Sequence, residues 1–330
     1  MQLIEKILAS YRFQPGSVPG RRYDLDWLRV LAFGLLIFYH IGMVYVARWG
    51  FHVKSPYLST HLESLMLLVN PWRMAILWFI SGVAIRFVLA KVNKTRFLAL
   101  RTLRLLLPLL FAVLVIIPPQ LYCEMTQKGD LNLSYAGFLK AFFTWNHPLF
   151  DKYQAGILPH MDVNHLWYLR ELWTFSLLLL LAMPIWNSRW FKSMMTWLAT
   201  HVLILMLGLV LINTGLEWVY REPRNQIGFL FLCFGFAIAW QEPFWQTLQR
   251  HRWKLVVLGL LAYVGLATFY QTTWIHISGK PPVGLHILGA GLLSGLDLLQ
   301  ANDLAAQAPL LLAGFVAAAV SGYLCIHFLL

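Results

Sequence analysis

Long apolar runs broken by short, basic connections dominate the chain. A helix crossing the roughly 30 Å hydrocarbon core needs about 20 mostly apolar residues. Runs of that kind fall at 28–47, 72–90, 104–122, 166–186, 194–213, 226–241 and 255–276, with two more at 284–300 and 308–330. The pattern predicts an all-α fold, a polytopic transmembrane helical bundle of about nine helices (eight to ten). Residues 1–27 carry Lys6, Arg12, Arg21 and Arg22 but no apolar core of a signal peptide, so this segment is expected to stay cytoplasmic. The organisation expected is this N-terminal segment, a transmembrane domain over 28–276, and an atypical helical pair over 277–330. The longest polar connection, 123–165, is expected as an outer loop, either a working surface or only a cap over the outer face.

Composition narrows the class. Of 330 residues, 59% are hydrophobic and 12% charged, against about 25% charged in soluble domains. A soluble enzyme, a disordered chain and a secreted disulfide module are excluded, and the bilayer is the first partner. Cys123, Cys233 and Cys325 stand far apart and form neither a metal-binding pair nor a disulfide framework; no metal is expected. Lys and Arg number 26 against 14 Asp and Glu. In a soluble chain that surplus would suggest nucleic acid, but here most of the bases lie in connections expected at the cytoplasmic face. Nucleic acid is therefore not an expected partner.

Ionisable residues inside spans are costly and usually face a cavity or a partner. In the first run Arg29 and His40 stand about 16 Å apart along a helix, three turns on one face. A histidine there accepts and releases protons near neutral pH, and an arginine at the entrance holds phosphate bidentately. An interface anchor and a helix-packing histidine explain the pair as well. Arg101 and Arg104, at i and i+3, share a face beside Lys91, Lys94 and Arg96. This is either a basic mouth suited to a polyphosphate or ordinary positive-inside decoration. Asn70-Pro71-Trp72-Arg73 opens the next polar stretch, and Ser81-Gly82 lets a helix or ligand approach closely. At the outer start of the fourth run, His165, Tyr168 and Arg170 are placed to line a vestibule. Alternatively Arg170 and Glu171 are interfacial and Tyr168 belongs to an aromatic belt. His61, Glu63 and Glu217 read as loop residues rather than catalytic ones.

Taken in order, Arg29-x10-His40, Phe79-Ile80-Ser81-Gly82, Arg101-x-x-Arg104 before Leu105-Leu106-Leu107-Pro108, and His165-Leu166-Trp167-Tyr168-Leu169 resemble the acyltransferase 3 family of integral membrane O-acyltransferases. Tyr23-Asp24-Leu25-Asp26-Trp27 and Asn70-Pro71-Trp72-Arg73-Met74 look most like its glucan biosynthesis protein C-like branch. The resemblance covers about residues 20–276. It implies transfer of an acetyl or succinyl group from cytoplasmic acyl-CoA, a co-substrate rather than a bound cofactor, to a glycan hydroxyl across a bacterial inner membrane. It implies that His40 is catalytic and that Arg29, Arg101 and Arg104 hold the acyl-CoA. His165, Tyr168, Arg170 and Glu171 are then candidates for the acceptor side, with Asp26, Arg73 and Ser81 in support. The tail departs from this pattern: Gly314-Phe315-Val316-Ala317 and Ser321-Gly322-Tyr323-Leu324 resemble the closing helices of undecaprenyl-diphosphate phosphatases, without that family's catalytic motifs. The rival readings are a transporter or flippase of a glycan or lipid-linked substrate, and an inactive family member. The sequence leaves the oligomeric state open.

Overall fold

The computed structural model describes residues 23–145, 147–153, 166–220 and 223–274. Helices make up nearly all of it: α1 (Tyr23–Tyr45), α2 (His61–Leu67), α3 (Arg73–Leu89), α4 (Lys94–Phe111), α5 (Ile117–Lys128), α6 (Tyr135–Phe142), α7 (Trp167–Leu181), α8 (Met183–Asn187), α9 (Arg189–Thr200), α10 (Val202–Val219), α11 (Arg224–Ile238) and α12 (Glu242–Phe269). Among the described residues there is no strand, only an isolated bridge between Val46 and Ser59. Among the described residues four stretches are long and apolar enough to cross a membrane: Leu25–Tyr45, Lys94–Lys128, Val202–Val219 and Glu242–Thr272. The all-α membrane bundle expected from the apolar runs is the observed architecture.

Helix α3 is the axle. Every residue from Ala75 to Val83 is buried, the mark of a helix packed on all sides. One layer joins its Ile76, Phe79, Ile80 and Val83 to Leu28 and Ala32 of α1, Phe234 and Ile238 of α11, and Phe244 and Trp245 of α12. A second layer joins Trp78 and Ile85 to Phe97 of α4, Leu172, Phe175 and Leu179 of α7, and Phe236 of α11. Helices α3 and α11 touch backbone to backbone. A methyl group on Gly82 would sit 1.9 Å from the Leu232 carbonyl oxygen, and one on Gly235 would sit 2.1 Å from that of Phe79. Glycine is required at both positions because nothing larger fits.

Helix α4 begins at an Asn93 cap whose side chain accepts from the Arg96 N–H at 2.8 Å. Pro108 removes a backbone donor within it, and a π-helical turn over Ala112–Ile116 leads into α5. The continuous rod of 35 residues would be about 52 Å long at 1.5 Å per residue. That exceeds the hydrocarbon thickness, so the basic first turns and the polar Glu124–Lys128 end both lie beyond it. Gly129, at φ 75°, closes α5 in the left-handed conformation. Beyond it Phe138, Phe142 and Phe150 pack on Leu121 and Met125 to form a separate cap.

The run read as one span over 194–213 is in fact interrupted. His201, at φ −110° and ψ 59°, separates α9 from α10. Hydropathy averaged across the break hides it, whereas Ser188 caps α9 separately through the Phe191 N–H at 3.2 Å. Helix α1 is described from Tyr23 onward, so Asp26 lies within it, three residues before Arg29. The expected spans at 284–300 and 308–330, and the 277–330 pair they form, lie outside the described residues.

Candidate active site

Arg29, Phe33, Leu36 and His40 recur at spacings that keep them on one face of α1. The stripe is anchored at several levels. The Phe33 ring meets Tyr168 edge-on at 6.4 Å, and the His40 Nδ1 lies 2.7 Å from the Leu36 carbonyl oxygen. A carbonyl only accepts, so this bond places a proton on Nδ1, and the lone pair of the neutral ring falls on Nε2. The imidazole is half-buried, edge-to-face with Tyr39 at 6.2 Å and tilted against Phe51 at 6.3 Å.

Three further helices converge on the Arg29 side of the stripe. The Tyr168 hydroxyl of α7 lies 2.7 Å from Ser81 Oγ and donates to the Leu77 carbonyl oxygen at 3.2 Å, both on α3. Its ring is packed on Trp78 at 4.4 Å. The Arg101 and Arg29 guanidinium groups both act electrostatically on that hydroxyl. Trp173 Nε1 donates to Thr102 Oγ1 at 3.0 Å, fixing α7 against α4. Arg101 lies over the Phe97 ring at 5.4 Å, and Arg104, Lys91 and Lys94 are exposed around it.

On the other side of His40, Tyr39 donates to Asn70 Oδ1 at 2.8 Å. Arg73 donates to the same oxygen, with its guanidinium 3.6 Å from the centre of the Tyr39 ring. Beyond this group Glu63 is fully buried. It accepts from the Arg48 N–H at 2.9 Å, from Arg48 Nη1 at 3.2 Å and from Tyr270 Oη at 3.2 Å. Lys54 Nζ donates to the Met43 and Val46 carbonyl oxygens at the end of α1, each at 2.7 Å. Burial lowers the Lys54 ammonium below the ordinary lysine range, and the Glu63 charge opposes part of that shift.

The structure thus brings Arg29, Arg101, Ser81 and Tyr168 together, with His40 further along the same stripe and Arg73 beside its neighbour Tyr39. Tyr168 is placed with the arginines of the basic end and not in a separate outer vestibule, because α7 lies beside the first turns of α4. Arg170 pairs with its neighbour: Nε and Nη2 reach the same Glu171 oxygen at 3.1 and 3.0 Å, and Glu171 is buried. Asp26 is half-buried. His165 lies outside the described residues. Three things escaped the sequence reading: the Tyr39–Asn70–Arg73 group, the Glu63 hub, and the Trp49 Nε1 donation to Tyr270 Oη at 2.8 Å. Two of them had a local signal, the polar Asn70-Pro71-Trp72-Arg73 stretch and the Glu63 carboxylate ahead of Leu65-Met66-Leu67, but neither signal named a partner. Among the described residues no three His, Cys, Asp or Glu side chains are grouped to hold a metal.

No curated protein and no solved structure matches the chain. The family model described as an acyltransferase domain, that of the acyltransferase 3 family, matches residues 22–329. The match runs from the start of α1 through the tail, where the sequence suggested a different origin, and it singles out no branch of the family. With nearly the whole chain matched and an all-α membrane bundle beneath it, the chain belongs to the acyltransferase 3 family of membrane acyltransferases.

Proposed function

We propose that this protein transfers an acetyl or succinyl group from cytoplasmic acyl-CoA to a hydroxyl of an envelope glycan at the bacterial inner membrane. The observation that carries the reading is the α1 stripe. A guanidinium and an imidazole share one helix face, with a second arginine and the Ser81–Tyr168 pair beside the segment that joins them.

In this reading the basic end of α4 faces the cytoplasm, as its surplus of Lys and Arg favours. Arg29, Arg101 and Arg104 take the CoA phosphates. The acyl-pantetheine arm runs along Phe33 and Tyr168 toward His40, about 16 Å from Arg29 by helix rise. The acceptor glycan approaches His40 from the side of Arg73, α5 and α6. Neutral His40 accepts the hydroxyl proton at Nε2 while the oxygen attacks the thioester carbonyl. The tetrahedral intermediate then expels the CoA thiolate, which recovers the proton from the imidazolium as the ester forms. Leu36 keeps Nδ1 occupied throughout and so fixes which nitrogen works. Ser81 and Arg73 hold Tyr168 and Tyr39 on either side.

Membranes containing the chain are supplied with labelled acetyl-CoA or succinyl-CoA, and the envelope glycans are scored for label. A His40→Ala variant at equal membrane abundance is expected to lose at least about 100-fold of the transfer rate. Full transfer by that variant would remove His40 from the chemistry. Movement of a glycan across the membrane with no CoA released would replace transferase by transporter.

A further inference from the structure

The bases at the start of α4 are not equivalent. Lys94 is exposed, whereas Arg96 is half-buried, and its Nε and Nη2 are closed off from solvent without a hydrogen-bond partner among the described residues. A guanidinium stays charged at any pH a cell meets. Enclosing charged donors without an acceptor costs far more than enclosing neutral ones. The chain offers no local remedy, because no Asp or Glu occurs anywhere between Glu63 and Glu124. The Arg96 backbone N–H is already committed to the Asn93 cap, so the side chain is the part left unsatisfied. Arg96 precedes Arg101 by five positions, about 7.5 Å along α4 and well round the helix from it. It therefore stands apart from the group at Arg29, Arg101 and Tyr168, nearer the start of α4.

We propose that Arg96 is a phosphate-binding residue, its guanidinium fork taking two non-bridging oxygens of a phosphate group. This rests on the acyl-CoA reading for one of two sources. In that donor the phosphates lie at the end remote from the thioester, the order in which Arg96, Arg101 and His40 stand. The other source is the headgroup phosphate of an anionic lipid at the same depth. The chemistry is shared, and the two sources are separable by experiment.

The full-length protein is purified in a maltoside detergent, which contributes no phosphate, and titrated with CoA, dephospho-CoA and phosphatidylglycerol. Arg96→Gln is expected to weaken CoA binding about tenfold and to narrow the preference for CoA over dephospho-CoA. If instead it spares CoA and weakens phosphatidylglycerol binding about tenfold, the phosphate site stands with the lipid as its source. If neither changes, the inference is overturned while the acyl-CoA reading survives on wild-type binding. If the wild type binds phosphatidylglycerol through Arg96 but not CoA, the acyl-CoA reading fails while the inference stands. The ligand-free melting temperature gives a second check. Arg96→Met removes an unpaired buried charge and is expected to raise it, with the same direction for Arg96→Gln. A fall in both variants would mean that Arg96 holds the fold and not a ligand.

Discussion

The two polar clusters that flank His40 are built from the same kinds of side chain and are balanced in opposite ways. Toward the end of α1, the buried Glu63 carboxylate meets the Arg48 backbone, the Arg48 guanidinium and Tyr270, and Trp49 donates in turn to Tyr270. Arg73 and Tyr39 converge on one Asn70 oxygen. Toward the start of α1, Arg29 and Arg101 act on a single Tyr168 hydroxyl. On α4, Arg96 holds two nitrogens without a hydrogen-bond partner among the described residues, and neither α3 nor α4 contains an acidic residue. That leaves Asp26 of α1 and Glu171 of α7 as the carboxylates nearest in sequence to Arg29 and Tyr168. A closed set of donors and acceptors holds helices together. A surplus of one charge invites a ligand of the other. In the proposed reading, charge balance, more than burial or residue type, separates scaffold from binding site.

The comparison is broken most directly at Glu63. Glu63→Ala leaves the Tyr270 hydroxyl and the Arg48 N–H without their acceptor and is expected to cost about 1–3 kcal/mol. The Arg48 guanidinium adds little because its side chain is 34% exposed. Thermal melts in detergent read the loss, and transfer per folded molecule should stay at the wild-type level. A variant as stable as wild type would show that the closed cluster is not structural, and the contrast with the open one would fail.

Helix contact tests the same division without charge. Gly235→Ala places a methyl group against the Phe79 carbonyl oxygen, and overpacking of that kind costs about 1–3 kcal/mol. At Gly34 of α1 an added methyl group would meet nothing within 4 Å. Gly34→Ala is therefore expected to be neutral or stabilising by up to about 1 kcal/mol from helix propensity alone. Equal melting temperatures for the two variants would mean that α3 and α11 separate without cost.

These cases also show what the sequence made legible. The Arg29–His40 register and the Arg101–Arg104 pair follow from helical periodicity, which is local, so both were readable as shared faces. Ser81 was readable as a close-approach residue, but its partner Tyr168 lies 87 positions away, and only the packing of α7 on α3 brings them together. Gly82 was visible, but the Leu232 carbonyl oxygen it lies against belongs to α11, across a contact no local pattern encodes. Glu63 looked like a loop carboxylate because its partners come from Arg48 and from Tyr270, far along the chain. The break at His201 was missed because apolar residues continue through it. The tail and His165 fall outside the described residues.

The smallest effect expected lies in the aromatic cap beyond α5. Lys152 Nζ and Tyr153 Oη donate to the two Asp130 oxygens at 3.1 and 2.9 Å, and Lys152 is largely exposed. The Lys152 bond, then the Tyr153 bond, hold the Asp130 carboxyl below the usual carboxylate range. A depressed carboxyl contributes stability above its unfolded value, and that contribution is lost as pH falls through the folded one. Wild type should therefore exceed Asp130→Asn in melting temperature at neutral pH, with the gap closing only in acid below the usual carboxylate range. At the alkaline end burial, then Asp130, push Tyr153 up to about 12. Its neutral form is thus favoured in the fold, and the contribution fades from the ordinary tyrosine range up to about that pH. Because an exposed ion pair is worth little, the neutral-pH gap should be far smaller than the Glu63→Ala loss. A gap of equal size would mean that burial adds nothing to a satisfied pair here, and charge balance would have to carry the whole distinction between the clusters.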